Sequence, residues 1–216
     1  MKGEPLRHDF GSGEVAAYRW INDGGRAGGI VAASARVDDT AFIGEEAVIG
    51  EEAVIGYMAI IGDTAIIGEG AVISHRVSIG DGASIGDGAV IGAGAVIGDG
   101  ASIGDMTFIG DTAIIGEGAV ISHRVSIGDG ASIGDDDWYL TGGPCGSRNA
   151  MWTAVHNRDH GLRWWVGCQY GISTDALLDR VRAEHGDNEH AQAYRHAVQC
   201  VTTHPEYLKR IAQEAA

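Results

Sequence analysis

The chain has 216 residues, a formal net charge of −15, and 35 glycines against three prolines. Glycine does not recur every third residue with proline between, which excludes a collagen-like chain, and the 44% apolar content argues against disorder. Three widely spaced cysteines form no disulfide framework, and no stretch approaches the ~18–20 apolar residues of a membrane span.

The first 30 residues contain no apolar run of the kind a secretory signal carries, so an intracellular protein is expected. This segment, 1–30, is expected to act as an N-terminal cap. From Val31 to Trp138 the sequence then runs in 18 hexads without an insertion. The first position is always Ile or Val, the second is Gly in fourteen hexads, and the fifth is small except at Val77, Val125 and Asp137. Six residues are too few for a helical repeat, and so much glycine would weaken a helix. Short strands with a turn every six residues fit, with the first and fifth side chains inward and glycine permitting the corner.

The hexads resemble the hexapeptide-repeat family pattern "[LIV]-G-x-x-[small]-x". That resemblance implies a left-handed parallel β-helix with three hexads per triangular coil, hence about six coils over 31–138. The stack would stand roughly 29 Å tall at ~4.8 Å per coil. The string "IGDTAIIGEGAVISHRVSIGDGASIGD" occupies 61–87 and returns at 109–135. The offset is eight hexads, a whole number of hexads but not of coils, so the copy lands on a different face. Such duplication is tolerated because each coil touches only its neighbours.

The charge lies in the same region: 18 Asp and Glu stand there against three Arg and no Lys, and the remainder is neutral. Phosphate contacts need Lys and Arg, so direct nucleic-acid binding is not expected. One corner column reads Glu45, Asp63, Asp81, Asp99, Glu117, Asp135. A solubilising edge is the simpler reading, and an acidic nucleic-acid mimic that blocks a host DNA-binding protein is the sharper one. Sixth-position side chains point outward, and ladders such as Val54, Val72, Val90 and Phe108 would be exposed in a monomer. Association resolves this, and the family resemblance implies a homotrimer. No threonine ladder of an ice-binding face is present.

Many relatives in the resembled family are acyltransferases with a catalytic His and acyl-CoA held between coils. His75 and His123 are the array's two histidines, but the extruded loop that usually shapes such a site is absent from the hexad register. The two differ by eight thirds of a coil, about 13 Å in height, so a threefold axis along the stack cannot bring them onto one metal. No catalytic residue, metal ligand or cofactor is assigned from the sequence.

After Trp138 the period ends, and 139–216 reads as a small α+β domain. Strands are expected around 138–142, 150–156 and 162–169. A helix is expected in "STDALLDRVRAEHG", capped by Ser173 or Thr174 and stopped at Gly186. Two more helices are expected in "DNEHAQAYRHAVQCV" and "THPEYLKRIAQEA", the last with Pro205 in its first turn. "GGRAGGIVAASARV", "GPCGSRN", "VGCQYGIST" and "HGDNEHAQAY" resemble uncharacterised phage and prophage hexapeptide-repeat proteins, some called polymer-forming. That resemblance implies a phage protein in the cytoplasm of a bacterial host, and it carries over no known activity.

Gly-rich backbone with Ser147, Arg148 and Asn149 is a candidate anion site, with Trp152, Trp164 or Trp165 to stack a base. The structural alternative is a tight turn. Cys145 beside His156 or His160 is a weaker nucleophile–base candidate. The functional expectation is a non-enzymatic trimeric scaffold whose C-terminal domain binds a small anionic, nucleotide-like ligand or a host partner. A CoA-dependent acyltransferase and the acidic mimic are the alternatives.

Overall fold

Each hexad supplies a two-residue strand, made of its sixth residue and the Ile or Val that opens the next hexad. Val54 pairs with Val72, Val72 with Val90 and Val90 with Phe108, all in parallel. Partners lie three hexads apart, so three hexads close one coil. The short strands from β4 (Arg36–Val37) to β20 (Ser132–Ile133) stack into three parallel sheets. These are the faces of a left-handed triangular β-helix of about six coils, as the hexads predict. The structure, a computed structural model, describes residues 2–145, 150–166 and 169–214.

The three faces differ in their outward residues. Face 1 carries Ile30, Val48, Ile66, Ser84, Ser102 and Val120. Face 2 carries Arg36, Val54, Val72, Val90, Phe108 and Ser126. Face 3 carries Phe42, Ile60, Ser78, Val96, Ile114 and Ser132. Inside, one continuous cluster of isoleucines and alanines runs from Ile43 to Ile133. Full burial of each Ile contributes about 1.5–3 kcal/mol, and the narrow triangle takes mostly Ala beside it, with Val77 and Thr107 the larger buried exceptions. Thr107 is buried among the alanines and satisfies its hydroxyl by donating to the Ser122 carbonyl at 2.8 Å.

The reason for glycine differs from the sequence expectation. The corner residue with positive φ is the fourth of the hexad, and it need not be glycine: Glu46, Thr64, Arg76, Thr112 and Arg124 all take φ of 56–59° there. The second-position glycines are needed because the next coil stacks directly on them. A Cβ on Gly110 would lie 2.5 Å from the Asp129 backbone nitrogen and 2.7 Å from the Gly128 carbonyl carbon.

Both ends of the stack are sealed, although by different means. At the start, β1 (Lys2–Asp9) and β2 (Glu14–Ile21) form an antiparallel hairpin, and β3 (Ala27–Ala32) joins it to face 1. Alternation in "EVAAYRWI" sends Tyr18 and Trp20 into the array core. On face 3, buried Asn22 stands in for a missing strand: its amide donates to the Ile43 carbonyl at 2.8 Å and accepts from the Ile43 N–H at 2.9 Å. The hairpin tip is tied by Asp9, which accepts from the Gly11 and Gly13 N–H groups. These bonds lower its pKa. The tip lies on face 1, where Ser12 donates to Glu51 and Phe10 packs on the core.

At the other end the last coil presents unpaired second-position N–H groups, and residues beyond it accept them. Ser122 N–H donates to the Tyr139 hydroxyl at 3.2 Å, Gly128 N–H to Thr153 Oγ1 at 3.0 Å, and Gly134 N–H to Asp137 Oδ2 at 2.8 Å. Trp165 adds an indole N–H to the Gly130 carbonyl at 2.9 Å. Tyr139, Thr153 and Trp165 belong to an antiparallel sheet of β21 (Trp138–Cys145), β22 (Ala150–Asn157), β23 (Gly161–Val166) and β24 (Gln169–Ile172). The expected strand over 162–169 divides between two elements: β23 covers Gly161–Val166, and Gln169 belongs to β24, which pairs antiparallel with it at Val166.

The sheet's two sides do different things. Val155 and Trp165 extend the array core, while Trp152, Ala154 and Trp164 face the helices. Those helices are α1 (Thr174–His185), α2 (Glu189–Thr202) and α3 (Pro205–Glu214). Ser173 Oγ accepts from Ala176 N–H and Gly186 ends α1 at φ 58°, where the sequence signals place them, and Asn188 Oδ1 caps α2 by accepting from Ala191 N–H.

Candidate functional site

The two array histidines are twins in sequence but not in surroundings. The eight-hexad offset rotates the second copy, so each enters a different corner column. His75 stands between Tyr57 and Ala93, one coil to either side. His123 follows Asp105. Its Nδ1 accepts from the Asp105 N–H at 2.9 Å, and Asp105 Oδ2 lies 3.3 Å from the same nitrogen. A neutral His123 that accepts at Nδ1 carries its proton on Nε2. The side chains of His123 and Asp105 are both exposed. Among the described residues no group of three or more His, Cys, Asp or Glu is placed to hold a metal ion.

The acidic columns have a structural occupation that neither sequence reading contained. Glu45 N–H donates to Asp63 Oδ1, Asp63 N–H to Asp81 Oδ1 and Asp81 N–H to Asp99 Oδ1, at 2.7–2.9 Å. The same bond links Glu69 to Asp87 and Asp87 to Asp105 in the second column, and Ala93 to Asp111 and Asp111 to Asp129 in the third. Each aspartate thus caps the corner N–H of the coil before it, and His123 takes an aspartate's place in that series. The acceptors are Asp or His, never Glu, since the shorter side chain reaches back onto the neighbouring corner. The preference for Asp across an 18-residue spacing was the available signal.

In the C-terminal domain, Ser147, Arg148 and Asn149 lie outside the described residues. Trp152 and Trp164 are 8% and 0% exposed, and their ring centroids are 5.7 Å apart. Trp164 donates its indole N–H to Thr174 Oγ1 at 3.0 Å. Neither presents a free ring face for a base; both pack the sheet onto the helices. Cys145 is buried, and burial pushes its thiol up to about 11, the opposite of an activated nucleophile. Cys145 and His156 also pair at opposite ends of β22, Cys145 with Ala150 and His156 with Trp138.

Val54, Val72, Val90 and Phe108 form a single in-register ladder on face 2. Phe108 is 46% exposed and the three valines are half-buried. Face 3 presents Ile60, Val96 and Ile114 more openly. Among the described residues no helix is long and apolar enough to cross a membrane.

Residues 58–93 and 76–111 match the family model described as bacterial transferase hexapeptide (six repeats). The match lies wholly within the array. No curated protein gives a significant match. Several solved structures resemble the chain over part of its length. One is a mutant GDP-perosamine N-acetyltransferase from Caulobacter crescentus with CoA and GDP-perosamine: 24% identity, 53% of each chain covered, TM-score 0.35. Another is the acetyltransferase domain of PglB from Neisseria gonorrhoeae with acetyl coenzyme A: 28% identity, 48% of this chain and 53% of that one, TM-score 0.28. A third is the UDP-N-acetylglucosamine acyltransferase of Francisella novicida: 25% identity, 49% and 52% covered, TM-score 0.25. The chain spans about half the length of these structures.

Proposed function

We propose that the array supports CoA-dependent acyl transfer at the corner carrying His123. The observation that carries this reading is the His123–Asp105 pair, an exposed imidazole with a carboxylate oxygen 3.3 Å from Nδ1. A general base needs an unprotonated ring nitrogen directed at the nucleophile. When Nδ1 bears the proton and donates it to Asp105 Oδ2, Nε2 is free to take a proton from an acceptor amine or hydroxyl. That group then attacks the thioester carbonyl, and the CoA thiolate leaves and is protonated. The resting arrangement has the Asp105 N–H on Nδ1, so the ring must exchange that donor for the carboxylate. The description of the family model names a transferase, and its matched span includes Asp105 and ends before His123.

Thiol release from acetyl-CoA, measured across a panel of amines and sugar acceptors, tests the reading. His123→Ala is expected to abolish release, His75→Ala to leave it, and Asp105→Asn to reduce it. No thermal shift with CoA and no thiol release would end the proposal.

The second reading is a non-enzymatic homotrimeric scaffold of phage origin that holds a small anion or host protein, and the face 2 ladder supports its assembly alone. The upper part of face 1 already carries the hairpin tip, with Phe10 and Ser12 beside Val48 and Ile66. Light scattering decides this reading. A mass of one 22.5 kDa chain removes it, and Val72→Asp with Val90→Asp should dissociate an assembly built on face 2. The acidic mimic ranks third, because Asp63, Asp81 and Asp99 of its column already have a structural role in capping the neighbouring corner.

A further inference from the structure

In a chain with twice as many acidic as basic residues, three cations converge at one place. Arg158, in the turn after β22, and Lys209 and Arg210, on α3, line a cavity of about 280 Å³ with Trp138 as its aromatic wall. Two carboxylates share the lining, but both are engaged. Glu206 pairs with Lys209 at 3.8 Å. Glu214 is held between Arg210, at 3.7 Å, and the buried His156, whose Nε2 lies 3.6 Å from it. Arg158 has no ion pair among the described residues.

We infer that this cavity is a binding site for a phosphate monoester. A phosphate dianion supplies Arg158 with the partner it lacks among the described residues, and adds a second charge-assisted contact at Lys209, whose pair with Glu206 is long and exposed. The planar guanidinium groups match phosphate oxygens in a fork. Trp138 offers an apolar surface to whatever the phosphate is attached to, and the His204 and Tyr207 rings, each with its centroid 5.4 Å away, pack against it. The volume falls just below the ~300–1,000 Å³ of drug-sized ligand pockets, which suits a mononucleotide or sugar phosphate and not a dinucleotide. Trp152 and Trp164 take no part in its lining. The site does not depend on the acyl-transfer reading.

Calorimetric titration of the full chain with adenosine 5′-monophosphate tests it, with adenosine as the uncharged control and inorganic phosphate as competitor. Binding of the monophosphate, its displacement by phosphate, and at least tenfold weakening in Arg158→Ala and in Lys209→Ala are expected. Both side chains are exposed, and an unchanged circular dichroism melt confirms that the variants fold. No binding, equal affinity for adenosine, failure of phosphate to compete, or unchanged affinity in both variants overturns the site. His123→Ala should bind the monophosphate as wild type does, which separates this result from the fate of the acyl-transfer reading.

Discussion

The array and the C-terminal domain solve the same problem, burying apolar surface without leaving backbone groups unpaired, by opposite means. In the array one solution is repeated: Ile and Ala inward, Gly beneath the next coil, Asp capping the corner before it. In the C-terminal domain each solution occurs once, as in Trp165 on the Gly130 carbonyl or Trp164 on Thr174. Repetition spreads stability over many equivalent bonds, so a single loss is local. A unique contact has no substitute, and its loss is felt across the domain.

The largest expected effect therefore lies at the junction. Trp165→Ala removes a ring shared by the array core and the seal of its last coil. It should cost about 3–5 kcal/mol, read as a fall in the denaturation midpoint by both circular dichroism and tryptophan fluorescence. If only one signal shifts, the two regions unfold separately and the junction is weaker than described. Next comes Gly110→Ala, whose Cβ meets backbone at 2.5 Å; overpacking of this kind costs about 1–3 kcal/mol. Gly116→Ala is its internal control, because the nearest backbone atom there stands 3.1 Å away, and its midpoint should fall less. A smaller change of opposite sign is expected for Thr112→Gly. Thr112 holds φ 56°, and relief of that strain, partly offset by glycine's looser unfolded state, should stabilise by about 0.5 kcal/mol.

The smallest effect separates charge from hydrogen bonding. Asp81→Asn keeps an acceptor for the Asp63 N–H, whereas Asp81→Ala removes it. The Asn variant should melt at or above the wild-type temperature at low salt, and the Ala variant below it. Equal melting of the two would leave the column with a solubilising role alone. In the C-terminal domain, the raised pKa of Cys145 predicts slow alkylation at pH 8, against rapid reaction of the exposed Cys200. Peptide mapping by mass spectrometry reads this directly, and equal rates would mean that the Cys145 site opens readily.

The fold of the array was legible because its code is redundant. Eighteen hexads state the same inward Ile and the same turn, and one misreading changes nothing. The first and third helices were legible from local signals, because Ser173, Gly186 and Pro205 act within a turn of themselves, and the second from its apolar periodicity. The hairpin over 1–30 was not read, because Trp20 and Asn22 gain their meaning from Ile43 and the open end of the stack. Burial of Trp152 and Trp164 escaped for the same reason, since a tryptophan in a short strand reads alike whether it faces solvent or a helix. The His123–Asp105 pair needs the coil length and its phase together, and sequence adjacency conceals it. The Arg158, Lys209 and Arg210 cavity joins a turn to a helix some fifty residues away, a distance that no local pattern spans.

The sealed ends turn the number of hexads into an angular coordinate. Three added hexads lengthen the shaft by one coil, about 4.8 Å, and leave the C-terminal domain on the same azimuth. One added hexad swings it through a third of a revolution while lifting it about 1.6 Å. All three faces end in a second-position N–H, at Ser122, Gly128 and Gly134, so the lid meets a similar set of donors at any of three orientations. An eight-hexad insertion, the length that separates the two copies, would have turned the domain by two thirds of a revolution and raised it by about 13 Å. Array growth in this chain is thus also a means of re-aiming whatever the C-terminal domain holds.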